Sequence, residues 1–169
     1  MTTKNSTLIS NFEASPQVAS NVYQSGGRMR VAQGTIALAT TDIDNDDVIM
    51  LAAIPVGASV TRIMLGSDDL DSGGSPSLTF NVGLYTTAGV VKDEDAYASA
   101  ITLGQAATAL TEFAFEARGI EKCGQRVWED AGDSSRPDAQ LYYLAVTVNA
   151  AAATAAAGDM SFIITYVHD

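Results

Sequence analysis

The sequence predicts an all-β fold, a jelly-roll-like antiparallel β-sandwich with an extended N-terminal arm and a short helical insertion. Three observations carry that prediction. Short runs that either alternate with period two or are apolar throughout recur along residues 31–169, separated by turns of Gly, Pro, Asp and Ser. Aromatic residues are only 7% of the chain while Gly and Ala are plentiful, which suits short strands and tight turns more than a large aromatic cleft. Residues 1–30 show neither period. The expected division is an arm, 1–30, and a sandwich domain, 31–169.

The elements follow in order. In the arm, Leu8, Ile9, Phe12, Val18, Val22 and Tyr23 stand isolated among Thr, Asn, Ser and Gln. An extended segment that orders on a neighbour fits this pattern, and by composition alone so does a disordered terminus. Gly26-Gly27 reads as a hinge into the body. Thr35–Thr41 reads as a strand ending in the acidic turn Asp42–Asp47. Val48–Ile54 is an unbroken apolar run of strand length, as for a strand buried on both faces. Pro55-Val56-Gly57 forces a turn before a strand over Ala58–Leu65.

After a loop at Asp68–Pro76, Leu78, Phe80, Val82 and Leu84 alternate with Ser77, Thr79, Asn81 and Gly83, giving one dry face and one wet. Asp93-Glu94-Asp95 suits the positive end of a helix, and Tyr97, Ala100 and Ile101 fall at helical spacing. A short helix or coiled excursion is therefore expected over Asp93–Leu103. Further short strands are expected around Phe113 and Phe115 and over Gln125–Trp128. Leu141–Asn149 and Met160–His168 close the domain, with Tyr142, Leu144, Val146 and Val148 on one face and Met160, Phe162, Ile164 and Tyr166 on another. The Ala150–Ala157 run connects these two strands. About eight strands on two layers favour a jelly roll. Immunoglobulin topology comes next but lacks its Cys, Trp, Cys core.

Charge narrows the function. The 169 residues carry a formal charge of −11. Residues 1–30 hold Lys4, Arg28 and Arg30 against Glu13 alone, about +2, and the rest of the chain is about −13. Such an acidic body is unsuited to sequence-independent binding of nucleic acid or to an anionic membrane. No stretch reaches the roughly 18 apolar residues that span a bilayer, and no apolar run follows Met1 as a secretory signal would require. Synthesis and folding in a cytoplasm are expected.

Catalytic constellations fail one by one. Asp42-Ile43-Asp44-Asn45-Asp46 imitates a calcium loop, but Asp47 stands where Gly is needed and Ala53 where a bidentate Glu is needed. Weak calcium binding there, or at Asp68-Asp69-Leu70-Asp71, is a minor alternative. One Cys, Cys123, and one His, His168, cannot supply a zinc site or a nucleophile with its base. Paired carboxylates for sugar hydrolysis would face each other about 5–9 Å apart across a groove lined with aromatics. Here the acids cluster in turns and Trp128 is the lone tryptophan. Gly26-Gly27-Arg28 lacks the Lys-Ser/Thr of a phosphate loop. No enzyme activity, cofactor or metal is expected.

Several stretches together resemble the head decoration (cement) proteins of tailed bacteriophages. They are the arm ending in Gly26-Gly27-Arg28-Met29-Arg30-Val31, the strand-turn-strand segment from Asp47 through Pro55-Val56-Gly57 to Val60, Leu78–Leu84 with its acidic, Ala-rich sequel, and the terminal Tyr166-Val167-His168-Asp169. The resemblance implies a jelly roll that assembles as a homotrimer on the outer surface of the phage head, bridging neighbouring subunits of the major capsid protein. It also implies an arm reaching across those subunits. Lys4, Arg28 and Arg30 are the expected partner-binding residues on grounds of charge. The alternative is a carbohydrate-binding module or phage adhesin on the same scaffold, which would need an aromatic platform. A glycoside hydrolase is the third and least favoured reading.

Overall fold

The structure, a computed structural model, describes residues 14–19 and 28–168. Its strands are β1 (Met29–Leu38), β2 (Val48–Pro55), β3 (Ser59–Ser67), β4 (Thr79–Thr86), β5 (Val91–Ile101), β6 (Thr108–Glu112), β7 (Leu141–Ala150) and β8 (Gly158–Val167). One sheet has the order β1-β8-β3-β6 and the other β2-β7-β4-β5, with antiparallel pairing throughout. The pairs β1·β8, β2·β7, β3·β6 and β4·β5 are the rungs of one long hairpin. Wrapping that hairpin sends alternate rungs to opposite sheets, and joining β8 to β3 and β7 to β4 completes a jelly roll. The expected all-β sandwich is the fold observed.

The two closing strands behave as their patterns dictate. Tyr142, Leu144, Val146 and Val148 from β7 meet Met160, Phe162 and Ile164 from β8 in the core, all nearly or fully buried. Facing them are Ile54, Val60, Ile63, Leu65, Leu78, Phe80, Val82 and Leu84. The Ala-rich segment after Ala150 is a connection, as expected, clipped by an isolated bridge between Asp71 and Ala155.

Five local expectations are corrected. No helix forms over Asp93–Leu103; β5 occupies Val91–Ile101 instead. Asp93 lies opposite Leu84 and Ala98 opposite Val82, so the β5 chain detours outward through Glu94–Tyr97 while β4 advances two residues. The detour is seated on Gly83, where a Cβ would run into the backbone of Asp93 and Glu94. Tertiary packing against a missing side chain thus overrides the helical spacing. On the face of β4 expected to be wet, Ser77 is exposed and Thr79 half-buried, but Asn81 and Gly83 are buried, with Asn81 Oδ1 accepting the Ala100 N–H at 2.8 Å.

Helix appears where a strand was expected. Gln125–Trp128 leads into a single turn, α1 (Val127–Asp130). Glu129 Oε2 accepts the Arg126 N–H at 2.7 Å, and the carbonyls of Ala58 and Val56 accept the N–H groups of Val127 and Trp128, so the turn's free donors are satisfied without a neighbouring strand. β6 ends at Glu112, before Phe113 and Phe115, which pack half-buried on the core from the loop beyond. Finally, β2 is not buried on both faces. It is the last strand of its sheet, and Val48 and Met50 each remain 38% exposed.

Candidate functional site

The basic residues flagged in the sequence fall in different places. Lys4 lies outside the described residues. Arg28 stands at the mouth of β1, its carbonyl accepting the His168 N–H at 3.0 Å. Arg30 is in β1 opposite Tyr166 of β8, and both arginines are exposed. Ion pairs among the described residues include Arg62–Glu112 at 3.1 Å, Lys92–Asp133 and Arg118–Asp130 at 2.6 Å. Arg28 and Arg30 belong to none of them. They form a small positive end on an acidic body.

The opposite end of β1 is negative. The Asp42–Asp47 turn is closed by its own carboxylates: Asp42 Oδ2 accepts the Ala39 N–H and Asp47 Oδ2 the Asp44 N–H, each at 2.9 Å. Ile43, 1% exposed, pins the turn to the core, and Asp46 and Asp47 exchange backbone hydrogen bonds with Val148 of β7. The resemblance to a calcium loop therefore reflects turn chemistry. An open groove of about 330 Å³ lies alongside, between Ile36 and Leu38 on β1 and Val48 and Met50 on β2.

The remaining titratable groups hold loops together. Asp71, 1% exposed, accepts four backbone N–H groups: Ser77, Leu78 and Ala153 on Oδ2 and Thr154 on Oδ1. Burial opposes ionisation, but these four donors outweigh it and hold the carboxyl at about 2. Arg118, itself buried, pairs with Asp130 and donates to the Val60 carbonyl at 2.9 Å, with its guanidinium over the rings of Tyr97 and Phe115. Burial raises the Asp130 carboxyl despite Arg118 and raises the Tyr97 phenol well above its usual value. Nearer the surface, Asp133 joins Lys92 and the Tyr142 hydroxyl. The Lys92 ammonium is raised, chiefly by that hydrogen bond to Asp133.

Among the described residues, no group of three His, Cys, Asp or Glu side chains is placed to hold a metal ion. Every described aromatic side chain is buried or half-buried. What the sequence reading missed is an edge. β2 carries a bulge between Met50 and Ala52 and ends in Pro55. β5 has three register shifts and carries Lys92, Asp93, Glu94 and Asp95. β6 is only five residues long. β1 is ten residues long, pairs with β8 without a bulge, and has no charge or Pro from Val31 to Leu38. Three edges are blunted in the ways that discourage strand addition and the fourth is not. The uncharged run was the available signal.

No protein-family model matches the chain, and no curated protein sequence matches it. Solved structures do. A chain of the cyanophage Pam1 capsid asymmetric unit is 25% identical, with a TM-score of 0.60 over 100% of both chains. A chain in the capsid of Ralstonia phage GP4 is 24% identical, with a TM-score of 0.63 over 85% of this chain and 86% of that one. The structural neighbours of this jelly roll are thus chains of phage capsids.

Proposed function

We propose that the protein is a non-enzymatic structural component of a tailed-phage virion. It decorates the outer surface of the head as a homotrimer and bridges neighbouring subunits of the major capsid protein. The observation that supports this reading best is the similarity to a Pam1 capsid chain, which covers 100% of both chains. The site chemistry is in keeping with it: Asp71 clamps loops through backbone N–H groups, and Asp130, which lines an open pocket of about 390 Å³ with Asp93, Asp95 and Glu129, is paired with Arg118. Three arms on one trimer would raise the effective concentration of each contact without requiring strong individual ones. Lys4 in the arm, and Arg28 and Arg30 where β1 begins, are the positive charge available for docking on acidic neighbours. Neither nucleic acid nor membrane is a partner in this reading.

The carbohydrate-binding alternative loses ground on the aromatics, because no described ring is exposed enough to serve as a platform for a sugar. The test is electron cryomicroscopy of heads assembled with and without the full-length chain. Trimeric density on the outside of the shell that disappears when the chain is withheld is the expected outcome. Density inside the shell, at the neck or on the tail, or identical heads in both preparations, would overturn it.

A further inference from the structure

We infer that the edge of β1, which no other described strand covers, is a two-fold pairing site for the β1 edge of a second copy of this chain. The alternation of its hydrogen bonds identifies the groups concerned. Arg28 faces His168, and its carbonyl accepts the His168 N–H, so the even-numbered residues of β1 bond to β8. The side chains of Thr35 and Ser161, directly opposite, touch through a 2.8 Å hydrogen bond, as in the closer, non-bonded pairs of an antiparallel ladder. Met29, Val31, Gln33, Thr35 and Ala37 therefore turn their N–H and C=O groups outward. Their side chains are exposed as well, Met29 by 70% and Val31 by 56%.

The strip is self-complementary. It begins at Arg28 and Arg30, which have no ion pair among the described residues. It ends at the turn holding Asp42, Asp44, Asp46 and Asp47, and the residues between are uncharged. Antiparallel pairing of two such strips lays each positive end beside the other copy's negative end, so complementary charge is gained twice. The register that uses all five outward residues centres on Gln33. It sets Val31 against Thr35, Met29 against Ala37, and Arg28 against Leu38 of the second copy. Leu38 adjoins Ala39, whose N–H is held by the Asp42 carboxylate, within reach of an arginine. Elsewhere on a body of this charge, like copies repel; here they meet on a neutral strand.

This pairing stands apart from the capsid role, since it needs no shell. It assigns Arg28 and Arg30 to a neighbouring copy and leaves Lys4 to the capsid protein. If the homotrimer reading holds, a two-fold contact of this kind joins one trimer to the next.

The experiment is sedimentation of the full-length chain across a concentration series, beside three variants. The wild type should show a concentration-dependent doubling of mass, monomer to dimer or trimer to hexamer. Val31→Lys with Thr35→Lys, both on the exposed face, should abolish the doubling, because like charges then sit directly opposite. Arg28→Glu with Arg30→Glu should weaken it at least about ten-fold, since each reversal counts twice in a two-fold pair. Gln33→Cys in a Cys123→Ser background should cross-link two copies on mild oxidation, because the paired Cα atoms would stand about 5.5 Å apart. A wild type whose mass never doubles overturns the proposal. So does doubling that survives the lysine pair, or a Gln33→Cys protein that stays uncross-linked. A wild type that fails to form trimers yet still doubles would overturn the trimer and leave the edge pairing standing.

Discussion

Asp71 offers the sharpest test of how two loops are held together at one end of the sandwich. Its carboxylate ties the loop before β4 to the segment between β7 and β8 through four backbone N–H donors at 2.7–3.0 Å. The carboxyl sits at about 2 against an ordinary 3.8. A folded value below the unfolded one means that the ionised form stabilises the fold. That contribution is fully present above about pH 4 and is lost as pH falls towards 2, and its size is roughly 2 kcal/mol. Asp71→Asn keeps the shape but not the acceptors. With the amide oxygen facing Ser77, Leu78 and Ala153, its NH2 group confronts the Thr154 N–H, donor against donor. The expected loss at neutral pH is about 2–3 kcal/mol, or about 5–10 °C in Tm for a chain of this size. Urea unfolding of the two proteins at matched pH values is the assay, so that effects common to both cancel. The gap should be widest near neutrality and shrink by roughly 2 kcal/mol towards about pH 2–3. A gap that is absent at neutral pH, or unchanged in acid, would refute the assignment of the four donors to an ionised Asp71.

Two further outcomes test the packing. Arg118→Met removes the partner of a buried carboxylate, along with a hydrogen bond to Val60 and two ring contacts. It should cost about 3–5 kcal/mol, and the double variant Arg118→Met/Asp130→Leu should be more stable than the single one by chemical denaturation; a double variant no better than the single would show that burial of Asp130 is not the source of the loss. Gly83→Ala would drive a Cβ into the backbone of Asp93 and Glu94, for a loss of about 3 kcal/mol. Wild-type thermal stability in that variant would mean that the β5 detour does not rest on Gly83.

How far the sequence could be read depended on where the decisive contact lay. β7 and β8 were legible because their inward residues alternate strictly, and alternation is a local property that burial on one face enforces. The Asp93–Leu103 segment, expected as a helix, is strand to Ile101 because its conformation is set by Gly83 on another strand, and a glycine's lack of a side chain leaves no trace in the period of its neighbour. α1 was hidden for a related reason, since its donors are satisfied by carbonyls of Val56 and Ala58, some seventy residues away in the chain. For the candidate site, Arg28 and Arg30 could be picked out because charge survives in composition. That they stand at one end of an unprotected edge, with the acidic turn at the other, needed the sheet order. A strand becomes an edge only when the topology denies it a second neighbour, and nothing within Met29–Leu38 encodes that denial. What the strand does encode is the consequence. An uncharged, bulge-free run is tolerable at a sheet edge only if something covers it. The partner it implies is therefore as much a product of this sequence as the core is, and the charges bracketing the run select a second copy of the same strand.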